Sequence, residues 1–245
     1  MDARQTRDQA VVAPLLKRPV RSISIIIPTL NEASVIGPTL SSVQPFRERG
    51  HEVIVVDGGS HDHTTTLALG RVDHVLTAPR GRSSQMSAGV ATSLGQVIWF
   101  LHADTLPPPQ ADHLILAAME RGIWGRFDVK LSGAHLLLRI VERFMNLRSR
   151  LTGIATGDQG IFMRREVLDA MGGVPSQAIM EDIELSRRLK RLGSPVCLRE
   201  QVIASSRRWE EKGMFTTILL MWRLRFAYSL GADPARLVRR YYTDP

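Results

Sequence analysis

The chain has 245 residues, enough for one large domain or two small ones and for a sizeable core without disulfide bonds. Hydrophobic residues make up 44% and charged residues 23%, which excludes a disordered, collagenous or coiled-coil protein. The single cysteine, Cys197, excludes an internal disulfide and cysteine-rich metal modules, and it favours a cytoplasmic location. The net charge of +8 suits an anionic partner: nucleic acid, an acidic membrane surface or a phosphorylated small molecule.

The first 21 residues are basic and lack the continuous apolar core and the cleavage site of a signal peptide. We expect them to form a flexible tail that folding does not need. The charge-free stretch 83–101 contains too many serines and other polar residues for a transmembrane helix. The predicted organisation is therefore a tail (1–21), one domain (22–212) and a C-terminal helical extension (213–245).

Strands and helices alternate along the first hundred residues, because β-branched apolar runs are separated by segments with helical spacing. This order predicts a doubly wound, mostly parallel sheet. The first predicted helix begins just after Asn31, which has a side chain suited to capping. The predicted strands are 22–28, 52–57, 74–77 and 96–101, and the predicted helices are 33–43, 62–69 and 83–93.

The second half continues without a proline- or serine-rich linker, which predicts one mixed α/β domain. A helix is expected over 181–192 because Gly193 follows its last apolar residue. The extension is predicted to contain a helix at 214–230 and another that begins at Asp233. The remaining elements are strands at 126–131 and 160–163 and a helix at 134–151.

Polar residues follow three of the predicted strands, in the segments 28–32, 57–60 and 102–105. Ligands of open parallel sheets bind beyond the carboxyl ends of the strands. One such segment could be an ordinary turn, since Asp, Asn and Gly are common in turns. Three at the same sheet edge indicate a binding site.

The sequence contains neither G-x-G-x-x-G after its first strand nor G-x-x-x-x-G-K-[ST], which argues against a dinucleotide dehydrogenase and a P-loop ATPase. Asp104 follows a buried strand and offers the hard oxygen ligand that divalent cations prefer. One carboxylate together with substrate phosphates would form a magnesium or manganese site.

Pro28-Thr29-Leu30-Asn31-Glu32, Asp57-Gly58-Gly59-Ser60 and the pair Glu181-Asp182 together resemble the family-2 glycosyltransferases with the GT-A fold. The resemblance covers about residues 23–209. The segments 102–105, 157–160, 181–184 and 206–209 resemble a bacterial subgroup associated with radical-SAM and selenodomain genes. The resemblance implies a GT-A-type doubly wound mixed sheet with a Rossmann-like nucleotide-binding half.

The resemblance also implies roles for residues on the donor side. Asp57 would accept hydrogen bonds from the nucleotide base, and Asp104 matches the last acid of the family's metal-binding D-x-D motif. His102 stands where the first acid of that motif usually is, so the metal has one carboxylate fewer. The implied nucleotide-binding residues are Pro28, Thr29, Asn31, Glu32, Asp57, Arg82 and Gln85.

On the acceptor side, the family pattern makes Asp182 the general base. Carboxylates are also favoured at helix starts, so a structural role is the alternative for the pair Glu181-Asp182. Ser205 replaces the glutamine of a Q-x-x-R-W motif found in processive members, which argues against polymer synthesis. The implied substrate and acceptor residues are Gly157, Asp158, Gln159, Glu181, Arg208 and Trp209, with Trp209 stacking on a sugar.

The sequence therefore predicts a hexosyltransferase that moves a sugar from a nucleoside diphosphate, favouring UDP, to a hydroxyl acceptor with inversion and with Mg²⁺ or Mn²⁺. The alternatives are a nucleotidyltransferase and a basic nucleic-acid-binding protein; the scattered basic residues argue against the latter. The apolar segment 214–230 packs on the domain or lies on an anionic membrane surface at the cytoplasmic face, and we favour packing.

Overall fold

The computed structural model describes residues 18–207, 213–229, 231–234 and 237. Most of the predicted tail, the predicted site residues Arg208 and Trp209, and most of the helix predicted after Asp233 lie outside the described residues. Within the described part of the chain, no helix combines the length and the apolar character needed to cross a membrane.

Eight strands form one mixed sheet in the order β3-β2-β1-β4-β7-β6-β8-β5. The first four strands of this order are parallel, β7 is antiparallel to both β4 and β6, β6 and β8 are parallel, and β5 is antiparallel to β8. The predicted mixed sheet is thereby confirmed. The strands are β1 (Ile23–Thr29), β2 (Glu52–Asp57), β3 (His74–Thr77), β4 (Val97–Phe100), β5 (Thr105–Leu106), β6 (Trp124–Leu131), β7 (Phe162–Arg164) and β8 (Val196–Ala204).

The central strands are apolar on both faces, because helices cover both sides of the sheet. In β1, Ile25 and Ile27 pack into one core cluster, and Ile26 between them packs into the other. All three side chains are fully buried. This arrangement fixes the register of the strands, so their carboxyl ends meet at one edge.

The helices are α1 (Ile36–Glu48), α2 (Thr64–Ala68), α3 (Arg82–Thr92), α4 (Ala111–Arg121), α5 (Leu136–Thr152), α6 (Arg165–Ala170), α7 (Glu181–Leu192) and α8 (Met214–Ser229), with a 3₁₀ turn at Gly157–Gln159. The predicted bounds of α7 are confirmed. The helices α4 and α6 and the strands β5 and β8 were not predicted. The pairing of β6 with β8 shifts register between Arg126, which pairs with Cys197, and Asp128, which pairs with Gln201, so the apolar residues of β8 do not alternate regularly.

The prediction that Asn31 caps the first helix is wrong. The capping position of α1 is Val35, and no side chain caps the helix. Asn31 instead adopts a left-handed backbone conformation with φ of 54°. Its backbone N–H donates to Ser60 Oγ at 2.8 Å, and its side-chain Oδ1 accepts from the backbone N–H of His61 at 2.8 Å. Asn31 therefore ties the loop after β1 to the loop after β2.

Candidate active site

A cavity of about 270 Å³ opens at the carboxyl ends of β1 and β4 and is closed on its other side by α7 and α8. Its volume is near the lower limit of about 300 Å³ for typical ligand pockets. The sheet order places β1 between β2 and β4, so the three polar strand ends predicted to form a site are adjacent. Seven predicted site residues line the cavity: Pro28, Glu32, Arg82, Asp104, Gly157, Asp158 and Asp182.

Two acids, Glu32 and Asp104, line the cavity where it opens at the carboxyl ends of β1 and β4. Burial and then the negative charge of Asp104 raise the pKa of Glu32, while Arg207 opposes this shift through an ion pair of 3.2 Å between Nη2 and Glu32 Oε2. Asp104 has no hydrogen-bond or ion-pair partner among the described residues. Its free carboxylate can therefore serve a divalent cation.

Few side chains near the cavity are suited to bind a metal ion. In the described part of the chain, no group of three or more His, Cys, Asp or Glu side chains is placed to hold an ion. A cation at Asp104 would need its other ligands from water and from a diphosphate, as is usual for Mg²⁺. The lone, half-buried carboxylate fits that role.

His102, at the position of the missing acid, pairs with Asp158. The two are 3.2 Å apart between Nδ1 and Oδ1. Burial opposes the charge on Asp158, but the hydrogen bond and charge of His102 outweigh burial and lower the pKa of the Asp158 carboxyl to about 2. A Cβ atom on Gly157 would lie 2.3 Å from His102 Nε2. The space beside Gly157, where we expected a ligand to approach the backbone, is filled by the His102 ring.

Asp182 lies in the first turn of α7 and lines the cavity. Its Oδ2 accepts a hydrogen bond of 2.8 Å from the Gly157 N–H, and its Oδ1 accepts one of 2.7 Å from the Ile183 N–H. These bonds fix the carboxylate between the 3₁₀ turn and the helix. Each oxygen keeps lone-pair capacity for a further donor.

Glu181 lies behind Asp182 and is only 4% exposed. Burial raises the pKa of Glu181, and the charge of Arg82, whose Nη1 lies 3.7 Å from Oε1, opposes the rise. Glu181 lines a smaller cavity next to the main one, together with Arg82 and Asp182. The neighbouring acids thus differ: one faces the main cavity and the other pairs with Arg82.

Several predicted nucleotide-binding side chains hold the loops instead of lining the cavity. Asp57 Oδ2 accepts from the N–H groups of Gly59 and Ser60 at 2.9 and 2.8 Å. Thr29 Oγ1 donates to Asp57 Oδ1 at 3.3 Å. Gln85 is buried, and its Nε2 donates to the carbonyl oxygens of Thr29 and Val56 at 2.6 and 2.9 Å. These contacts set the shape of the donor side.

Gln159 is also buried away from the cavity. Its Oε1 accepts a hydrogen bond of 3.2 Å from the Thr156 N–H, and its Nε2 donates to Asn146 Oδ1 at 3.3 Å. Gln159 therefore holds the 3₁₀ turn that presents Asp158.

The extension contributes residues that sequence reasoning did not select. Thr217, Met221 and Arg225 of α8 line the cavity. Their spacing of four residues places them on one helical face, and this spacing is the signal that could have found them. Arg207, which follows β8, also lines the cavity.

Comparisons with known proteins agree with this geometry. The family model described as Glycosyl transferase family 2 matches residues 24–172, more than half of the chain. Probable glycosyltransferase YdaM of Bacillus subtilis (strain 168) is 28% identical over 235 residues, which cover 85% of this chain and 54% of YdaM. The chain spans about half the length of the curated relatives that it matches.

Two groups of solved structures share the fold. Staphylococcus aureus TarS 1-349 in complex with UDP-GlcNAc is similar with a TM-score of 0.62 and 17% identity, over 75% of this chain and 58% of that one. Mycobacterium tuberculosis glucosyl-3-phosphoglycerate synthase with Mn²⁺, UDP-glucose and phosphoglyceric acid has a TM-score of 0.56 and 20% identity, over 74% and 70% of the two chains. The GT-A fold is thereby confirmed.

Proposed function

Because the chain belongs to glycosyl transferase family 2, we propose that it transfers a hexose from a UDP-sugar to a hydroxyl acceptor, with inversion at the anomeric carbon. The observation that carries this proposal is that Asp104 and Asp182 line the same cavity from opposite sides. One acid lies at the sheet edge where a diphosphate would bind, and the other lies at the helix that closes the cavity. Family membership favours this activity over nucleotidyl transfer and over nucleic-acid binding.

On the donor side, the nucleotide would lie against Pro28 and Glu32, with its base near Asp57. The hydrogen bonds of Asp57, Asn31 and Gln85 hold the surrounding loops before any ligand arrives. Such preorganisation lowers the ordering cost of binding. The complexes of TarS with UDP-GlcNAc and of glucosyl-3-phosphoglycerate synthase with UDP-glucose support a UDP-sugar donor.

Asp104 would hold the divalent cation, Mg²⁺ or Mn²⁺, with Glu32 beside it. When bound, such an ion neutralises the negative charge that develops on the departing diphosphate. Arg207 and Arg82 add positive charge on the same side of the cavity. The Mn²⁺ complex of glucosyl-3-phosphoglycerate synthase supports this assignment.

Asp182 would act as the general base that takes the proton from the acceptor hydroxyl. The hydrogen bond from Gly157 orients its carboxylate toward the cavity and leaves capacity for the acceptor proton. Holding the acceptor hydroxyl and the donor sugar in line would supply the rest of the rate enhancement. Glu181 would hold Arg82 in place through their ion pair. Gly157 and Asp158 would form the wall that faces the acceptor.

The extension would hold the enzyme at the cytoplasmic face of an anionic membrane. The outward face of α8 exposes Leu219, Trp222 and Phe226, with Arg223 among them. A second apolar stripe lies on α5 at Leu136, Ile140, Phe144, Leu147 and Leu151. Apolar and aromatic side chains interleaved with arginines are typical of interfacial helices.

A thermal-shift screen of nucleoside diphosphates with and without Mn²⁺ tests the proposed function. A ligand present at about 100 times its dissociation constant stabilises the folded state by about 2.7 kcal/mol. We expect UDP with Mn²⁺ to give the largest shift and UDP alone a smaller one. Absence of stabilisation by every nucleoside diphosphate would contradict the proposal.

A further inference from the structure

Two arginines, Arg225 in the lining of the cavity and Arg148 on α5, carry buried N–H groups without partners in the described residues. Arg148 lies on α5, and both its Nε and its Nη2 are buried without a hydrogen-bond partner in the described residues. Arg225 lies on α8, and its Nε is likewise buried without a hydrogen-bond partner in the described residues. Buried polar groups are normally hydrogen-bonded, and guanidinium groups can only donate. The described residues therefore leave part of the hydrogen-bonding capacity of both guanidinium groups unsatisfied.

Both guanidinium groups lie close to the reacting part of the cavity. Arg225 lines the cavity itself. Burial and then the charge of Arg225 lower the pKa of Arg148 to about 10, whereas the charges of Asp182 and Asp158 oppose the shift. Arg148 is therefore near all three groups and is still a cation at neutral pH.

The neighbouring carboxylates do not neutralise this pair of cations by hydrogen bonding. Asp158 is bonded to His102 at 3.2 Å. Asp182 accepts its hydrogen bonds from the backbone of Gly157 and Ile183. Two like charges in partly buried positions, without hydrogen-bonded counterions among the described residues, favour an anionic ligand.

The arginine pair comes from other elements than Arg207 and Arg82, which line the same cavity. Arg207 pairs with Glu32, close to the end of β1, and Arg82 follows β3 and pairs with Glu181. Arg148 and Arg225 come instead from α5 and α8, on the side of the cavity formed by Asp158 and Asp182. The diphosphate has its own cationic residues, so the second pair is available to the acceptor.

We infer that Arg148 and Arg225 form a subsite for a phosphate ester on the acceptor, and that this subsite places the acceptor hydroxyl beside Asp182. The inference rests on the proposed function and specifies the chemical class of its acceptor. A phosphate monoester supplies two negative charges and several acceptor oxygens, which match two guanidinium forks. The phosphate belongs either to a soluble sugar or polyol phosphate or to a lipid headgroup.

The test uses the full chain saturated with UDP and Mn²⁺, so that the donor side is occupied. Isothermal titration calorimetry would then measure binding of glycerol 3-phosphate, of uncharged glycerol, and of phosphatidic acid in detergent micelles. We expect binding of at least one phosphate probe and none of glycerol. Tighter binding of the micellar probe would assign the phosphate to a lipid, and tighter binding of the soluble ester would assign it to a soluble acceptor.

The variants Arg148→Gln and Arg225→Gln should each weaken phosphate binding by about 10- to 100-fold, as expected for a lost charge-assisted hydrogen bond. Arg143→Gln is the matched control, because Arg143 is an exposed arginine on the same helix. It should bind the phosphate probes like wild type. Arg148→Lys, which keeps the charge but loses the fork, should give an intermediate affinity and serves if Arg148→Gln does not fold.

Separate measurements distinguish the failure of this inference from the failure of the proposed function. If UDP with Mn²⁺ does not bind the wild-type chain, the proposed function fails first. If UDP binds but neither phosphate probe does, or if Arg225→Gln binds them like Arg143→Gln, the subsite is wrong. A loss of UDP affinity in Arg148→Gln or Arg225→Gln would assign the pair to the donor diphosphate and overturn the inference.

Discussion

The two sides of the cavity are built differently. On the donor side, Asn31, Asp57 and Gln85 bond to the backbone or side chains of neighbouring loops within the first ninety residues. On the acceptor side, charged groups from distant segments meet, as when His102 pairs with Asp158. The acceptor side also contains Arg148, which has unpaired buried N–H groups among the described residues.

This difference shows which part of the site is complete and which part awaits a ligand. The side chains of Asn31, Asp57 and Gln85 are hydrogen-bonded within the loops after β1 and β2, so these loops keep their geometry without a nucleotide. The acceptor-side charges are only partly paired, so they gain most when a substrate arrives. Substitutions on the acceptor side should therefore affect transfer more than donor binding, whereas substitutions at Asp104 should weaken donor binding as well as transfer.

The largest effect is expected for Asp182→Asn. A general base contributes about 10²- to 10⁴-fold to the rate, so transfer should fall by at least about two orders of magnitude. UDP affinity should stay near wild type, but the melting temperature should fall modestly, because asparagine can accept only one of the two backbone hydrogen bonds that Asp182 accepts. Acceptor-dependent release of UDP, measured at saturating donor, gives the rate.

Asp169→Asn is the control for that experiment, because Asp169 is an exposed acid at the end of α6, outside the cavity. It should transfer sugar at the wild-type rate. Transfer by Asp182→Asn at a near wild-type rate would place the base elsewhere and would remove the main support for an inverting mechanism.

If the extension binds a membrane, the exposed apolar residues of α8 should contribute to that binding. Leu219 and Trp222 on α8 are 58% and 69% exposed, so changing both to glutamate should leave the core intact. If they enter the interface, each loses about 1.5–3 kcal/mol of apolar burial, which predicts a partition weaker by at least about 100-fold for the pair. Flotation with vesicles containing phosphatidylglycerol measures the partition.

Leu94→Glu is the control, since Leu94 is 84% exposed and follows α3. It should float like wild type, and wild-type binding should weaken as salt increases. Equal binding to uncharged and anionic vesicles, or unchanged binding after the double substitution, would rule out this mode of attachment.

Asp104→Asn tests the donor side. Substitution of a metal-orienting group typically costs about 10- to 100-fold in metal affinity, and loss of a direct ligand charge should cost at least as much. We expect the Mn²⁺-dependent part of UDP affinity to be lost while the folded state remains stable. His102→Ala should weaken it less, because His102 is engaged with Asp158. Calorimetric titration of UDP with and without Mn²⁺ would refute the assignment if Asp104→Asn matched wild type.

The sequence predicted the parallel half of the fold well, because β1, β2 and β4 are continuous apolar runs followed by polar turns. It failed at β8, whose polar residues Arg199, Glu200 and Gln201 interrupt the pattern. It also failed at the start of α1, where a tertiary contact between Asn31 and the loop after β2 replaced the expected cap.

The predictability of the site follows the same division. Pro28, Glu32, Asp104 and Asp182 lie in short motifs, and all four line the cavity. The pairing of His102 with Asp158 joins segments 56 residues apart, so local patterns carry no sign of it. The subgroup resemblance, the domain bounds and the roles of the individual site residues stay predictions.

Gly157→Ala tests how tightly the acceptor side is packed. The new methyl group would lie 2.3 Å from His102 Nε2, so the imidazole must move. Overpacking of this kind typically costs about 1–3 kcal/mol in the free energy of unfolding. Gly37→Ala is the control, because no atom lies within 4 Å of the added Cβ and α1 favours alanine. Chemical denaturation should show opposite signs for the two variants, and equal effects would contradict the packing argument.

The smallest effect concerns the pH dependence that Asp158 gives to stability. His102 holds the pKa of Asp158 at about 2, whereas an aspartate in the unfolded chain ionises near pH 4. A carboxyl whose pKa is lower in the folded state stabilises the fold above the unfolded value and loses that contribution as pH falls through the folded value. The stability advantage of wild type over Asp158→Asn should therefore shrink as the pH falls from about 4 to about 2. Urea denaturation at pH 6, 4, 3 and 2 measures this difference, in which the titration of the other carboxylates largely cancels. The same comparison in a His102→Ala background, between His102→Ala and His102→Ala/Asp158→Asn, should show much less pH dependence. In that background the His102 side chain, which favours the charged form of Asp158, is absent. A difference that persists unchanged to pH 2 would show that His102 does not control the ionisation of Asp158.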